Sequence, residues 1–400
     1  MFMITIDSDY SADSSIMLTA SHLPFNRNGL KFFTKEGGLE GADITEILEY
    51  AQENSFDFIG SGKVTSCNYL KKYAEDTRKK IQLDTGLSLP FKGMKIAVDA
   101  GNGAGGFYAN EVLAPLGADV SGSKFLEPDG NFPNHIPNPE DKDAMRAISE
   151  AVISSKSDLG VIFDTDVDRA AIVSDTGKEI NKNALIALIS AVLLEEKKGT
   201  IVTDSVTSTG LKDFIENSLG GVHHRFKRGY KNVINEAKRL NSEGIYSPLA
   251  IETSGHAALM ENYFLDDGAY LITKLLIKAV KLRADGRKLS DLIADLNQPE
   301  IAVGHRLNLL CEDFKEGGLK ILNDLEKAIN ESPDMNLVTP NYEGIRADAS
   351  DGWFLLRLSL HDPLMPLDIQ CDTEEGLSSI YSFLKEFLSK YDYIDVSPLG

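Results

Sequence analysis

The sequence is short of several things, and each shortage removes a class of function. Its 400 residues hold one tryptophan and only three cysteines. Cys67, Cys311 and Cys371 lie far apart and form no metal-ligand spacing, so reduced thiols in a reducing compartment are expected, not a disulfide framework or a cysteine metal site. Basic residues are outnumbered, 41 Lys and Arg against 61 Asp and Glu, for a net charge of −20. That balance argues against broad contact with nucleic acid or an anionic membrane. No apolar run approaches a transmembrane span. The opening MFMITIDSDYSADSS carries acids early, with neither a basic region nor a long apolar core, so no secretory leader is expected. These absences together predict a soluble, cytoplasmic α/β protein.

What is present is enough apolar material, 42% of residues, for several cores, and a length that suggests two to four domains. Short β-branched runs alternate with helical patterns. MKIAVDA precedes a glycine-rich turn and GFYANEVLAPLG, LGVIFDTDVDRAAIV gives two apolar runs around an acidic loop, and GTIVTDS precedes TGLKDFIENSLGG. Such alternation predicts parallel sheets covered by helices. A weak internal repeat, IAVDA at 96–100 and IVTDS at 201–205, is consistent with two successive domains of one fold. Gly, Pro and Lys punctuation places boundaries near 85–92, 196–200 and 298–304, and the last segment reads as a smaller α+β domain.

Five stretches could carry chemistry. The turn DAGNGAGG contains G-x-G-x-x-G at Gly101, Gly103 and Gly106, which would suggest NAD binding. Asp99 stands where a pyrophosphate would lie, and Asp119 is at the wrong end of the next strand, so close packing of a strand–turn–helix unit is preferred. In DTDVDR, Asp164, Asp166 and Asp168 alternate before Arg169, between apolar runs. Three carboxylates that can wrap one hard cation, with coordination positions to spare, suit Mg²⁺ holding a phosphate oxygen. ETSGH, Glu252 to His256, offers acceptors and donors to sugar hydroxyls, though Glu252 or His256 could equally be a structural partner. RLSLHDP could bind a phosphate dianion through the planar donor fork of Arg357, or simply be a strand with Arg357 and Ser359 on its polar face. In MLTASHLPFNRNGLK, Ser21 is a turn residue by local chemistry, with His22 beside it and Lys31 shortly after.

Four of these stretches, in this order, resemble the α-D-phosphohexomutase family, which includes phosphoglucomutase, phosphomannomutase and phosphoglucosamine mutase. That family carries T-A-S-H-N-P, D-G-D-x-D-R, G-E-x-S-G-H and R-P-S-G-T-E-P. Here they read TASHLP, DTDVDR, ETSGH and RLSLHDP, and the likeness spans essentially the whole chain. The resemblance implies that Ser21 carries a phosphoryl group, with Asp164, Asp166 and Asp168 binding one Mg²⁺ beside it and Arg169 supporting that site. It implies that Glu252, Ser254 and His256 read sugar hydroxyls, and that Arg357 and Ser359 hold the phosphate not being transferred. Lys31, in NGLK, and His22 are candidate proton-transfer groups. The implied partner is a hexose phosphate, with a hexose 1,6-bisphosphate as activator and intermediate. A phosphoglucosamine mutase, a non-catalytic relative that binds sugar phosphate, and an NAD-dependent oxidoreductase are the alternatives.

The expected fold class is α/β: successive three-layer α/β domains with mixed, mainly parallel sheets, then the smaller α+β domain. Its divisions would be a phosphoserine-loop domain at 1–88, a metal-loop domain at 89–197, a sugar-loop domain at 198–301 and a phosphate-loop domain at 302–400. The chain departs from the family's motifs at Leu23 (Asn), Tyr230 (His in some members), Ile251 (Gly), and Leu360 and His361 (small Gly and Thr). Relatives also carry most of a domain ahead of the phosphoserine loop, where this sequence has twenty residues. An incomplete first domain, with exposed strand edges and apolar surface, is the expectation that follows.

Overall fold

The strands Ile96–Asp99 and Leu159–Phe163 are buried at every residue, as runs covered on both faces must be. The structure, a computed structural model, describes residues 1–53 and 60–400. It divides into two units, one of residues 1–180 with 265–287, the other of 181–264 with 288–400.

In the first unit, Ile96–Asp99 pairs in parallel with Leu159–Phe163, which turns back antiparallel into Ala170–Ser174 and then Glu179–Ile180. The parallel crossover contains the helix Lys142–Ser155. Asp141 caps it by accepting the N–H groups of Asp143 and Ala144, and Ala144, Met145, Ile148, Ala151 and Val152 form its buried stripe. That stripe packs on Ala97, Ile162, Ala171 and Val173, one face of the sheet. On the other face the Tyr108 ring meets Phe163 edge-on, and the Tyr108 hydroxyl lies 2.8 Å from Thr273 Oγ1 of the helix Gly268–Ala284. Helices on both faces make this the expected three-layer arrangement. A three-stranded antiparallel sheet, Ser15–Leu18, Leu30–Thr34 and Gly37–Gly38, carries the loop with Ser21. Its apolar residues Ile16, Leu18 and Leu30 are exposed, as is Phe25 in the loop.

The second unit repeats the pattern. Thr200–Thr203 pairs in parallel with Val222–Arg225 and with Leu249–Ile251, which turns back antiparallel into Ala257–Leu259. The strand of each repeated motif therefore lies beside the strand that enters an acid-bearing loop: Ile96 is opposite Leu159, and Ile201 is opposite Leu249. The helix Asn183–Glu196 lies in this unit. The last sheet is wholly antiparallel, in the order Ile301–Asn308, Leu364–Cys371, Gly352–Leu356, Ile345–Ala349, Met335–Leu337. Its helices Phe314–Glu331 and Glu374–Leu388 pack their apolar stripes onto Leu307, Phe354, Leu367 and Ile369. No helix among the described residues is long and apolar enough to cross a membrane.

All four motif loops close antiparallel hairpins. Thr19–Gly29 joins Leu18 to its partner Leu30, 164–169 joins Phe163 to Ala170, and 252–256 joins Ile251 to Ala257. Residues 357–363 join Gly352–Leu356 to Leu364–Cys371. A short loop pinned at both ends by paired strands holds its side chains in fixed places.

Candidate active site

In the first unit the loop bearing Ser21 meets the acidic loop. Thr19 organises the contact: its hydroxyl accepts the Ser21 N–H at 2.9 Å and donates to Asp166 Oδ2 at 3.1 Å. Ser21 has φ +53, a left-handed conformation that costs a non-glycine residue roughly 1 kcal/mol and is kept where surroundings enforce it. Its Oγ lies 3.3 Å from His22 Nδ1, and Arg169 Nη2 donates to both, at 3.4 and 3.1 Å. Lys31 stands opposite Met17 in the hairpin and donates to Asp166 Oδ2 at 2.9 Å and to Asp168 Oδ2 at 2.7 Å. Burial works against its charge, but Asp168 and Asp166 prevail and raise the pKa, so Lys31 is held as an ammonium.

The acidic loop is buried. Asp164 is fully enclosed, and its Oδ1 accepts the Arg169 N–H at 3.1 Å. Burial, and then the charges of Asp168 and Asp166, push the Asp164 carboxyl well above the usual range. Ligand oxygens of Asp164, Asp166 and Asp168 lie within 4.8 Å of one another. Asp164 Oδ2 and Asp166 Oδ1 are buried and accept no hydrogen bond. Converging hard oxygens with acceptor capacity to spare fit Mg²⁺.

In the second unit Glu252 accepts the Gly229 N–H at 2.7 Å, and its own N–H donates to the His256 carbonyl at 2.9 Å. The Ser254 hydroxyl is buried and makes no hydrogen bond. The His256 ring stacks on Tyr230, centroids 5.2 Å apart at 23°. Burial, with Asp204 adding to it, pushes the Glu252 carboxyl up to about 7 against the pull of the Gly229 N–H, His256 and Arg228. Arg357 donates to Asp368 at 2.8 Å and lies 3.9 Å from Glu343, while the Ser359 hydroxyl accepts the Asp362 N–H. Glu343 also accepts the Arg228 N–H at 3.2 Å and the Ser205 hydroxyl, so Arg228 and Glu343 link the sugar loop to the phosphate loop.

Ser21 and all six residues expected around it thus lie in one unit and all five expected substrate residues in the other. Sequence reasoning missed Thr19, Asp204, Arg228 and Glu343. Thr19 was legible as the first letter of TASH, and Arg228 stands two residues before the noted Tyr230. Asp204 and Glu343, 139 positions apart by their numbers, left no local signal.

Family models of the phosphoglucomutase/phosphomannomutase α/β/α domains match this chain in succession: domain I at residues 2–57, domain II at 69–177 and domain III at 181–299. A phosphomannomutase/phosphoglucomutase of Pseudomonas aeruginosa is 30% identical over 381 residues, covering 95% of this chain and 77% of that protein. A phosphoglucomutase of Neisseria gonorrhoeae is 27% identical over 383 residues, covering 95% and 78%. The crystal structure of a phosphoglucomutase/phosphomannomutase family protein from Burkholderia thailandensis superposes with a TM-score of 0.77 at 25% identity, covering 95% of this chain and 76% of that one. The motif loops, their hairpins and these likenesses lead to one conclusion: the chain belongs to the phosphoglucomutase/phosphomannomutase family.

Proposed function

We propose that this protein is a phosphohexomutase acting on glucose or mannose phosphate, moving a phosphoryl group between the 1- and 6-positions. The observation that carries the reading is the Ser21 hydroxyl facing Arg169 from a strained turn, whose Ser21 N–H is held by the hydroxyl of Thr19, which itself bonds Asp166.

Ser21 alternates between hydroxyl and phosphoserine. Its O–P bond breaks as a sugar hydroxyl takes the phosphoryl group, giving a hexose 1,6-bisphosphate; Ser21 then recovers the phosphoryl group from the other position. Such transfer needs positioning and charge stabilisation more than covalent chemistry. Asp164, Asp166 and Asp168 would hold Mg²⁺, which supplies positive charge to the phosphoryl oxygens in flight. Arg169 directs its guanidinium at Ser21 Oγ, where that charge develops. His22 Nδ1, 3.3 Å from Ser21 Oγ, is placed to take the hydroxyl proton when Ser21 attacks. Lys31, held as an ammonium, serves as proton donor and cation, not as a base. Glu252, Ser254 and His256 read the hexose hydroxyls, and Arg357 with Ser359 binds the phosphate at rest.

Intact mass before and after glucose 1,6-bisphosphate tests this. One phosphoryl group should be gained by the wild-type chain and none by Ser21→Ala. A wild-type chain that gains nothing, or a Ser21→Ala chain that gains as much, overturns the reading.

A further inference from the structure

Beside the loop Arg357–Pro363 lies a cavity of about 410 Å³ lined by three arginines, Arg228, Arg306 and Arg357; His305 also belongs to the lining, while its ring lies on the strand's other face with Nε2 2.7 Å from the Tyr381 hydroxyl. Arg306 belongs to none of the four motifs. It comes from the strand Ile301–Asn308, where alternation turns Ala302, Gly304, Arg306 and Asn308 to the exposed face. The register sets Arg306 opposite Pro366 and Gly304 opposite Asp368, the carboxylate that Arg357 engages. Gly304 keeps the wall low: a Cβ there would meet only Asp368 Oδ1, at 3.9 Å.

Part of the loop's main-chain donor set is used within the hairpin. The Ser359 N–H goes to the Leu364 carbonyl at 3.0 Å, the Asp362 N–H to the Ser359 hydroxyl at 3.2 Å, and the Leu364 N–H to the Asp362 carbonyl at 2.8 Å. Among the lining residues the opposing charges are Asp362 and Asp368. Asp368 is matched by Arg357 at 2.8 Å, and Arg228 Nε stands 3.8 Å from the buried Asp204. Arg306 is exposed and among the described residues paired with no carboxylate, and the lining's three arginines outnumber its two aspartates.

We propose that Arg306 and Arg228 are phosphate-binding residues of this protein, gripping with Arg357 the phosphate monoester that stays in place during transfer. The proposal rests on the mutase reading and deepens it. Guanidinium forks brought together from separate strands and loops offer a phosphate planar, bidentate donors. Binding held by partly exposed cations also weakens as ionic strength rises.

The test follows the His305 backbone amide signal of the full ¹⁵N-histidine-labelled chain during titration with inorganic phosphate at low and moderate salt. Phosphate should shift His305 in the wild type and equally in Ser21→Ala. Arg306→Ala and Arg228→Ala should each weaken that binding about tenfold or more, and Arg306→Lys should recover part of it. Arg306 is exposed, so its variants test binding without disturbing a core. A wild-type titration that leaves His305 unmoved, or alanine variants that bind as the wild type does, overturns the proposal. Should Ser21 accept no phosphoryl group while phosphate still shifts His305 in an Arg306-dependent way, the mutase reading fails and this anion site stands.

Discussion

Glu252 and Asp204 share a buried corner of the sugar-loop hairpin, and the pair sets a pH dependence of its own. Asp204 is wholly enclosed; burial raises it to about 6 against Arg228 and the Thr253 hydroxyl and amide. Both acids have folded pKa values above their unfolded ones, so the folded chain holds more protons than the unfolded chain across the window between them. Stability from these groups is complete below about pH 4 and is lost as pH rises toward 7. Glu252→Gln, which cannot ionise, should escape its share of that loss. Urea midpoints at pH 5 and pH 8 should show the variant gaining on the wild type by on the order of 2 kcal/mol at the higher pH. Parallel pH profiles for both proteins would contradict the account. Of the two carboxylates, Glu252 was visible in its motif, while Asp204 looked like any strand-end acid until Thr253 and Arg228 closed on it.

Among the elements, the glycine-rich turn after Ile96–Asp99 shows best how a motif and its meaning separate. Its spacing matches a dinucleotide fingerprint, yet its glycines serve contact between elements. A Cβ on Gly103 would lie 2.7 Å from the Thr165 carbonyl oxygen, and one on Gly106 would lie 1.9 Å from that of Leu126. Asp99, which counted against a pyrophosphate, accepts the Gly101 N–H at 2.8 Å and lies 3.1 Å from His135 Nε2. The turn is thus the buttress of the acidic loop, because Thr165 sits between Asp164 and Asp166. Gly103→Ala should cost about 1–3 kcal/mol in stability. It should also weaken Mg²⁺ binding in calorimetry, since the displaced backbone carries two of the three carboxylates. Unchanged metal affinity would mean that the loop holds its shape without the turn. Hairpin register was legible here only as apolar runs around a polar centre; which strands paired in parallel was not, since that pairing is made across more than sixty residues.

At the scale of the molecule, a buried cation helps join two sheets of different design within the second unit. Arg346, 2% exposed, donates to the carbonyls of Ser205 and Thr207 at 3.0 and 2.9 Å and lies over the Trp353 ring at 3.7 Å. Val206 packs against Trp353 and Leu355 in the same seam. Removing the guanidinium strands two buried carbonyls and opens a cavity, so Arg346→Ala should lower stability by about 2–4 kcal/mol. Denaturation followed by Trp353 fluorescence would read it directly, the protein having one tryptophan; a midpoint equal to the wild type's would rule the joint out as a source of stability.

The sequence alone set out the reactive groups: four ordered loops, each a polar centre between apolar runs, present a serine, three carboxylates, a Glu–Ser–His group and an Arg–Ser pair, because each set is close together in the chain. It also determined that the sheets alternate with helices, since periodicity is local. Tertiary structure alone decided which charges are opposed. Lys31 reaches Asp166 and Asp168 across 135 and 137 positions, Glu343 meets Ser205 and Arg228, and Arg306 comes level with Arg357 through strand register. Those pairings depend on burial and on the folding together of distant strands, and no spacing along the chain encodes them.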